Sequence, residues 1–397
     1  MTTMGEGVER RGAPFCANTL LVVGAVLTAM LGSGARAESW KTVDLGPLGG
    51  SFSTATALND SGQVVGYSYL PGYAPTHAFS WTEAGGMIDL GTLGGSMTSA
   101  TGVNNLGQVV GQSFLPGDAT WHAFSWTEAG GMIDLGTLGG SFSTATALND
   151  SGQVVGYSYL PGDATWHAFS WTEAGGMIDL RTLGGSESYA RAVNYSGQVV
   201  GHSYLPGDGT WHSFSWTQAG GIVDLGAFGW ANDALAVNDS GQVVGFGRIN
   251  YGGAAFSWTQ AGGMIDLGNL GGSYAVARAV NDSGQVVGES SLPGNTDCHA
   301  FSWTQAGGMT DLGAFGGSSG GAAAVNDSGQ VVGVNYLPGN TGTHAFSWTQ
   351  AEAIQDLGTL GGTNSRAVAV NTKGWVIGDS SIAGDAATHA VLWSHSK

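Results

Sequence analysis

A unit of about 45 residues recurs eight times along this chain, and any fold it adopts must be assembled from that unit. The Asp of an Asp-Leu pair falls at Asp44, Asp89, Asp134, Asp179, Asp224, Asp266, Asp311 and Asp356. A strand-like phrase ending in Trp marks the same units at Trp81, Trp126, Trp171, Trp216, Trp258, Trp303, Trp348 and Trp393. The fifth unit is three residues shorter than the others. Residues 49–72 are identical to residues 139–162, which points to a two-unit duplication.

Each unit reads as four short strands. "TATALN" alternates small and apolar residues, and "DSG" then turns the chain with Gly in the left-handed position of a short hairpin loop. "QVVGYSYL" places Val65, Tyr67 and Tyr69 on one face and Val64, Gly66 and Ser68 on the other. The loop "PGDATW" leads to "HAFSW", in which His, Phe and Trp share a face, and "EAGG" turns into "MIDLG". No 3.6-residue period survives past the first 37 residues. A bulky face opposite a tiny one suits sheets stacked face to face, the large side chains of one unit filling space left by Gly, Ala and Ser of the next.

This pattern predicts an all-β chain, an eight-bladed β-propeller of four-stranded repeats. The ends agree in phase. "WKTVDLG" is a fourth strand without its first three, and "HAVLWSHSK" is a third strand without its fourth. Pairing them would close the ring and leave no open edge. An open β-solenoid is the alternative.

Residues 1–37 read as an export signal: Arg10 and Arg11 precede an apolar run from about Phe15 to Leu31, ending at Ala35-Arg36-Ala37. Residues 38–397 are expected to form the single repeat domain, secreted or periplasmic and monomeric, with no membrane insertion. Only Cys298 lies in that domain, so stability must come from packing and hydrogen bonds. The formal net charge of −18 argues against nucleic acid, which needs clustered Lys and Arg.

"DLGTLGG", "NDSGQVVG" and "HAFSW", in that fixed order, resemble the HAF extracellular repeat family of bacterial secreted tandem-repeat proteins. The resemblance spans essentially all of the domain. It implies export, tandem repeats and a propeller-like β fold, and it carries no activity with it.

Several side chains are candidates for function. Seven His open the third strand, at His77, His122, His167, His212, His299, His344 and His389, with Ala254 in the fifth unit. A hydrogen bond within each unit accounts for them better than a metal ring does, because equivalent repeat positions lie far apart. Asp60, Asp150, Asp239, Asp282 and Asp327 stand in the "NDSG" turns, where Asp beside Gly is what a tight turn requires. Trp121, Trp166 and Trp211 lie in the loops of the second to fourth units, beside Asp118, Asp163 and Asp208, with Tyr73 near the matching place in the first. An indole there can stack on a sugar while polar neighbours take hydroxyls, and the three acids are weak candidates for calcium. Covering the blade end is the plain alternative for each Trp. "GGSSG" at 316–320 spells a nucleophile elbow, but no helix follows it.

Arg181, Arg191, His202, Trp230, Arg248, Tyr251 and Lys373 break the repetition, the kind of unique polar group that catalysis needs. The sequence does not show that they meet. The expected function is a non-catalytic binding module for an extracellular glycan, another polymer or a small molecule, working through repeated weak sites. A calcium-dependent propeller hydrolase of the lactonase, esterase or glycosidase type is the alternative.

Overall fold

The structure, a computed structural model, describes residues 40–72, 75–249 and 252–395. The export signal expected over residues 1–37 lies outside them, as do Tyr73 and Tyr251. Among the described residues regular structure is β-strand apart from two short 3-10 turns, and no helix is long and apolar enough to cross a membrane.

The four strands expected of a unit form as read. In the first unit they are Ser53–Leu58, Val64–Tyr69, Thr76–Thr82 and Gly86–Asp89, paired antiparallel in sequence order. Strands of this type make four four-stranded and two eight-stranded sheets. Each eight-stranded sheet is two antiparallel groups of four, bridged by one parallel pair, Trp211 to Ala231 or Thr343 to Asn364. The strand Trp40–Gly46 pairs with Thr388–His395, so the N-terminal segment supplies the outer strand of the last unit, in the phase the sequence required.

Packing joins units rather than filling them. Val65, Ala78 and Leu90 of the first unit form one core with Ala100, Val109 and Phe124 of the second. The last and first units share a core in the same way, Ile377, Ala390 and Leu392 meeting Ala55, Val64 and Phe79. Phe79 and its counterparts are fully buried, each such burial contributing about 1.5–3 kcal/mol. This is the big-into-small interdigitation that the alternating faces implied. Gly66 shows why one position stays Gly: a Cβ there would collide with the Thr54 carbonyl and press on the Phe79 ring.

The first strands touch one another around a common axis. Their C-terminal ends, from Leu58-Asn59-Asp60 in the first unit to Val370-Asn371-Thr372 in the last, surround one cavity of about 400 Å³. Buried asparagines tie these ends together. Asn59 Nδ2 donates to the Asn104 carbonyl, Asn104 to Asn149, and so on through Asn194, Asn238, Asn281 and Asn326 to Asn371. Asn371 Nδ2 donates to the Asn59 carbonyl at 3.1 Å, and the series returns to its start. Each Asn Oδ1 meanwhile accepts N–H groups of its own turn, as Asn59 does from Ser61 and Gln63. The Asn of "NDSG" is thus both a turn former and an inter-unit link.

Candidate functional site

Most repeated polar residues prove to be fastenings. Each third-strand His bonds through Nδ1 to the Asp of "DLG" on the fourth strand, as His122 does to both carboxylate oxygens of Asp134 at 2.9 Å. His389 reaches Asp44 in the same manner, between the two ends of the chain. Burial, the largest single influence, would raise the Asp134 and Asp179 carboxyls, but the bonds from His122 and His167 together with the N–H groups of Gly136 and Arg181 outweigh it and hold both below the ordinary range. The "NDSG" acids work between units: Asp150 Oδ1 accepts the Asn105 N–H at 2.8 Å, and Asp60 Oδ1 accepts the backbone N–H and the hydroxyl of Thr372. No group of three metal-ligating side chains stands together among the described residues.

Asp118, Asp163 and Asp208 also fasten loops. All three adopt positive φ, between 54° and 56°, and each carboxylate accepts the N–H of a "GGS" residue in its own unit: Ser96, Ser141 and Ser186. Asn295, Asn340 and Asp385 do the same elsewhere. These are the residue types that tolerate the left-handed region. Ser318 of "GGSSG" bonds Asn340, and Ser319 is buried at the approach to a strand, with no elbow.

The loop tryptophans belong to something larger. Trp121, Trp166 and Trp211 each open a third strand and share one continuous aromatic arc over the second to fifth units. Trp121 lies 5.6 Å from Phe114 and 4.1 Å from Phe142 by ring centroid, and Phe142 is 5.6 Å from Tyr159. Trp166 stacks on Tyr159 at 3.7 Å and meets Tyr157 at 5.1 Å. Tyr157 contacts Tyr189, which stacks on His202, and His202 approaches Trp211. Trp211 ends the arc against Trp230, with the Arg248 guanidinium 5.6 Å and 5.5 Å from the two rings. Burial varies along it. Trp166 is wedged in, Trp121 and Trp211 are half-buried, and Trp230 is 42% exposed.

At His202, between Tyr189 and Trp211, the arc meets a polar cluster. His202 Nδ1 bonds Asp233 Oδ1 at 2.9 Å, and Arg191 Nη2 reaches Asp233 Oδ2 at 3.3 Å. Burial opposes ionisation of Asp233, yet the charges of His202 and Arg191 prevail and lower its carboxyl. Two further pairs stand on first and second strands, Arg278 with Glu289 at 2.6 Å and Arg366 with Asp379 at 2.7 Å.

The structure therefore brings Arg191 and His202 together with Asp233, and Trp230 and Arg248 together with Trp211. It leaves Arg181 on an exposed turn and sets Lys373 over Trp375, away from the arc. Asp233, Glu289, Arg278, Arg366 and Asp379 were not singled out from sequence. Their signal was available: the second residue of "STATAL" changes in nearly every unit, and its register partner changes with it, Thr54 to Tyr67 but Asp233 to Phe246 and Arg366 to Asp379.

A scan against protein-family models and a search of curated proteins return no match. The fold does match solved structures. A structure of two prolyl endopeptidases aligns with TM-score 0.55 and 11% identity over 77% of this chain, which spans about half of that chain (49%). The β-propeller domain of the Trilobed protease from Pyrococcus furiosus, described as having an open velcro topology, aligns with TM-score 0.50 and 11% identity over 77% of this chain and 96% of that one. At such identity the likeness speaks for fold alone, and the fold is a β-propeller.

Proposed function

We propose that the chain is a secreted, closed eight-bladed propeller that binds carbohydrate or a related extracellular polymer on its aromatic arc. The observation that carries this reading is the continuity of the arc. Repeats need no such surface for folding, since the sixth and seventh units place Cys298 and Thr343 where Trp121, Trp166 and Trp211 stand. Partly exposed aromatic rings at Trp121, Trp211 and Trp230 suit the apolar faces of sugar rings, and Arg248 beside Trp211 and Trp230 supplies polar contacts at their edge. In this reading Asp118, Asp163 and Asp208 hold the loops, Trp121 and Trp211 make the contact, and the buried Trp166, packed on Tyr157 and Tyr159, holds the arc together. Closure of the ring is supported by the terminal strand pair and by the asparagine series. Export rests on the leader and on the resemblance to extracellular repeats.

A glycan array probed with wild type and with the W121A/W166A/W211A variant tests it. Signal on a defined set of glycans, lost in the variant, is the expected outcome, and equal signals or none would sink it. One observation favours a second reading, a propeller hydrolase: the His202–Asp233 pair has the form of an oriented general base. Ester or lactone turnover abolished by H202A would establish it.

A further inference from the structure

We infer that the axial channel recognises the carboxylate of an acidic saccharide through Arg191, Arg278 and Arg366. The inference rests on the glycan-binding reading above and adds the charge of the ligand.

The chain has 11 Lys and Arg against 29 Asp and Glu, so cations are scarce and their placement is informative. Three arginines stand on first strands, around the axis. Where Arg191 and Arg278 stand, the other units carry Thr56, Thr101, Thr146, Leu235, Ala323 and Val368. Strand register skips from Ala190 to Ala192 and from Ala277 to Ala279, which makes each arginine the extra residue of a bulge. A bulged residue is released from the ladder and re-aimed. Because neighbouring first strands touch side by side, an exposed side chain in mid-strand opens onto the channel.

Each guanidinium is held from behind by a carboxylate more buried than itself. The Asp233, Glu289 and Asp379 side chains are 11–13% exposed, whereas those of Arg191, Arg278 and Arg366 are 39%, 40% and 56% exposed. The acids are anchored in turn, Asp233 by His202 and Asp379 by the Thr54 hydroxyl. The negative charge is therefore used inward, and each five-N–H fork keeps donors beyond the one that its carboxylate takes. A guanidinium already fixed in place loses little freedom when it takes a second carboxylate. The Arg191–Asp233 pair also adjoins the arc, because His202 stacks on Tyr189 at 5.0 Å. At Arg191 a surface for the sugar ring and donors for its acid group thus adjoin.

Calorimetric titration of the full chain with a glucuronate tetrasaccharide, as free acid and as methyl ester, tests this. The two probes share their rings and differ in charge. Wild type is expected to bind the acid about tenfold more tightly than the ester, the effect of one charge-assisted hydrogen bond. R191Q/R278Q/R366Q should bind both forms alike at the ester's level, while W121A/W166A/W211A should weaken both and keep their ratio. Equal wild-type affinities, or a preference that survives in the arginine variant, would overturn the inference. If the triple arginine variant melts early, the single R366Q, at the most exposed of the three positions, replaces it and must narrow the ratio. A Trp variant that binds like wild type, with the acid preference still tracking arginine, would remove the arc and leave the channel. Binding of neither probe would overturn both.

Discussion

Replacing Asn149 by Ala should destabilise the protein far more than its size suggests. Its side chain is buried, donating to the Asn194 carbonyl at 3.0 Å and to Gln153 Oε1 at 3.3 Å. It accepts the Gln153 N–H at 3.0 Å and the Ser151 hydroxyl at 2.7 Å. Alanine keeps none of these. The Gln153 N–H would be left without an acceptor in a region nearly closed to water, costing about 1–3 kcal/mol, and the Asn194 carbonyl, which keeps the Gly197 N–H, would lose its inter-unit donor, about 1 kcal/mol more. The expected loss is about 2–4 kcal/mol. Asp150, the next residue, makes its bond to Asn105 at the exposed surface, and D150A should cost about 1 kcal/mol or less. Urea unfolding gives both values through shifts in midpoint, provided the slope is unchanged. N371A should behave like N149A, since Asn371 makes the same bond across the junction of last and first units. If N149A moved the midpoint no further than D150A, the asparagine series would be decoration and this reasoning would fail.

Other outcomes follow from the same contacts. G156A should fold poorly or not at all, because a Cβ at Gly156 meets the Thr144 carbonyl and the Phe169 ring; circular dichroism and expression yield will read this. F124A should lose about 3–5 kcal/mol in the same urea assay, since Phe124 fills a core shared by two units. Acid should weaken the fold through Asp134, Asp179 and Asp233. Their folded carboxyls lie below the ordinary Asp value of 3.8, so their contribution is full above that pH and is lost as pH falls through the lowered folded values. Melting temperature against pH should hold steady near neutrality and drop below about pH 4, and a rise there would contradict the His–Asp fastenings.

The repeat made the scaffold legible. Strand bounds, the filling role of Phe79, the intra-unit partner of each His and the pairing of Trp40–Gly46 with Thr388–His395 all follow from a pattern that any one unit shows. The site was only half legible, for a physical reason. Trp121, Trp166 and Trp211 stand out because they break the strand pattern read from sequence, although they prove to open the third strands and not to lie in loops, whereas Phe142, Tyr157 and Tyr189 look like ordinary residues until neighbouring sheets bring them together. Asp118, Asp163 and Asp208 suggested ligand chemistry because Asp beside Trp and Thr is a polar cluster in sequence. Their positive φ and their bonds to "GGS" backbone are visible only in three dimensions. Arg191 and Asp233 belong to different units, 42 residues apart, and stand at different positions of their first strands, so the repeat pattern gives no reason to pair them.

The claim that the arc is a binding surface has one direct test. Intrinsic tryptophan fluorescence, followed while the glucuronate tetrasaccharide is added to wild type and to W211A, reports on that surface itself. Trp211 and Trp230 meet edge to face under Arg248, so a sugar seated there must change their emission. A saturable change in wild type, largely lost in W211A, is the predicted result. Emission that stays constant to millimolar sugar, or a change undiminished by W211A, would contradict the account.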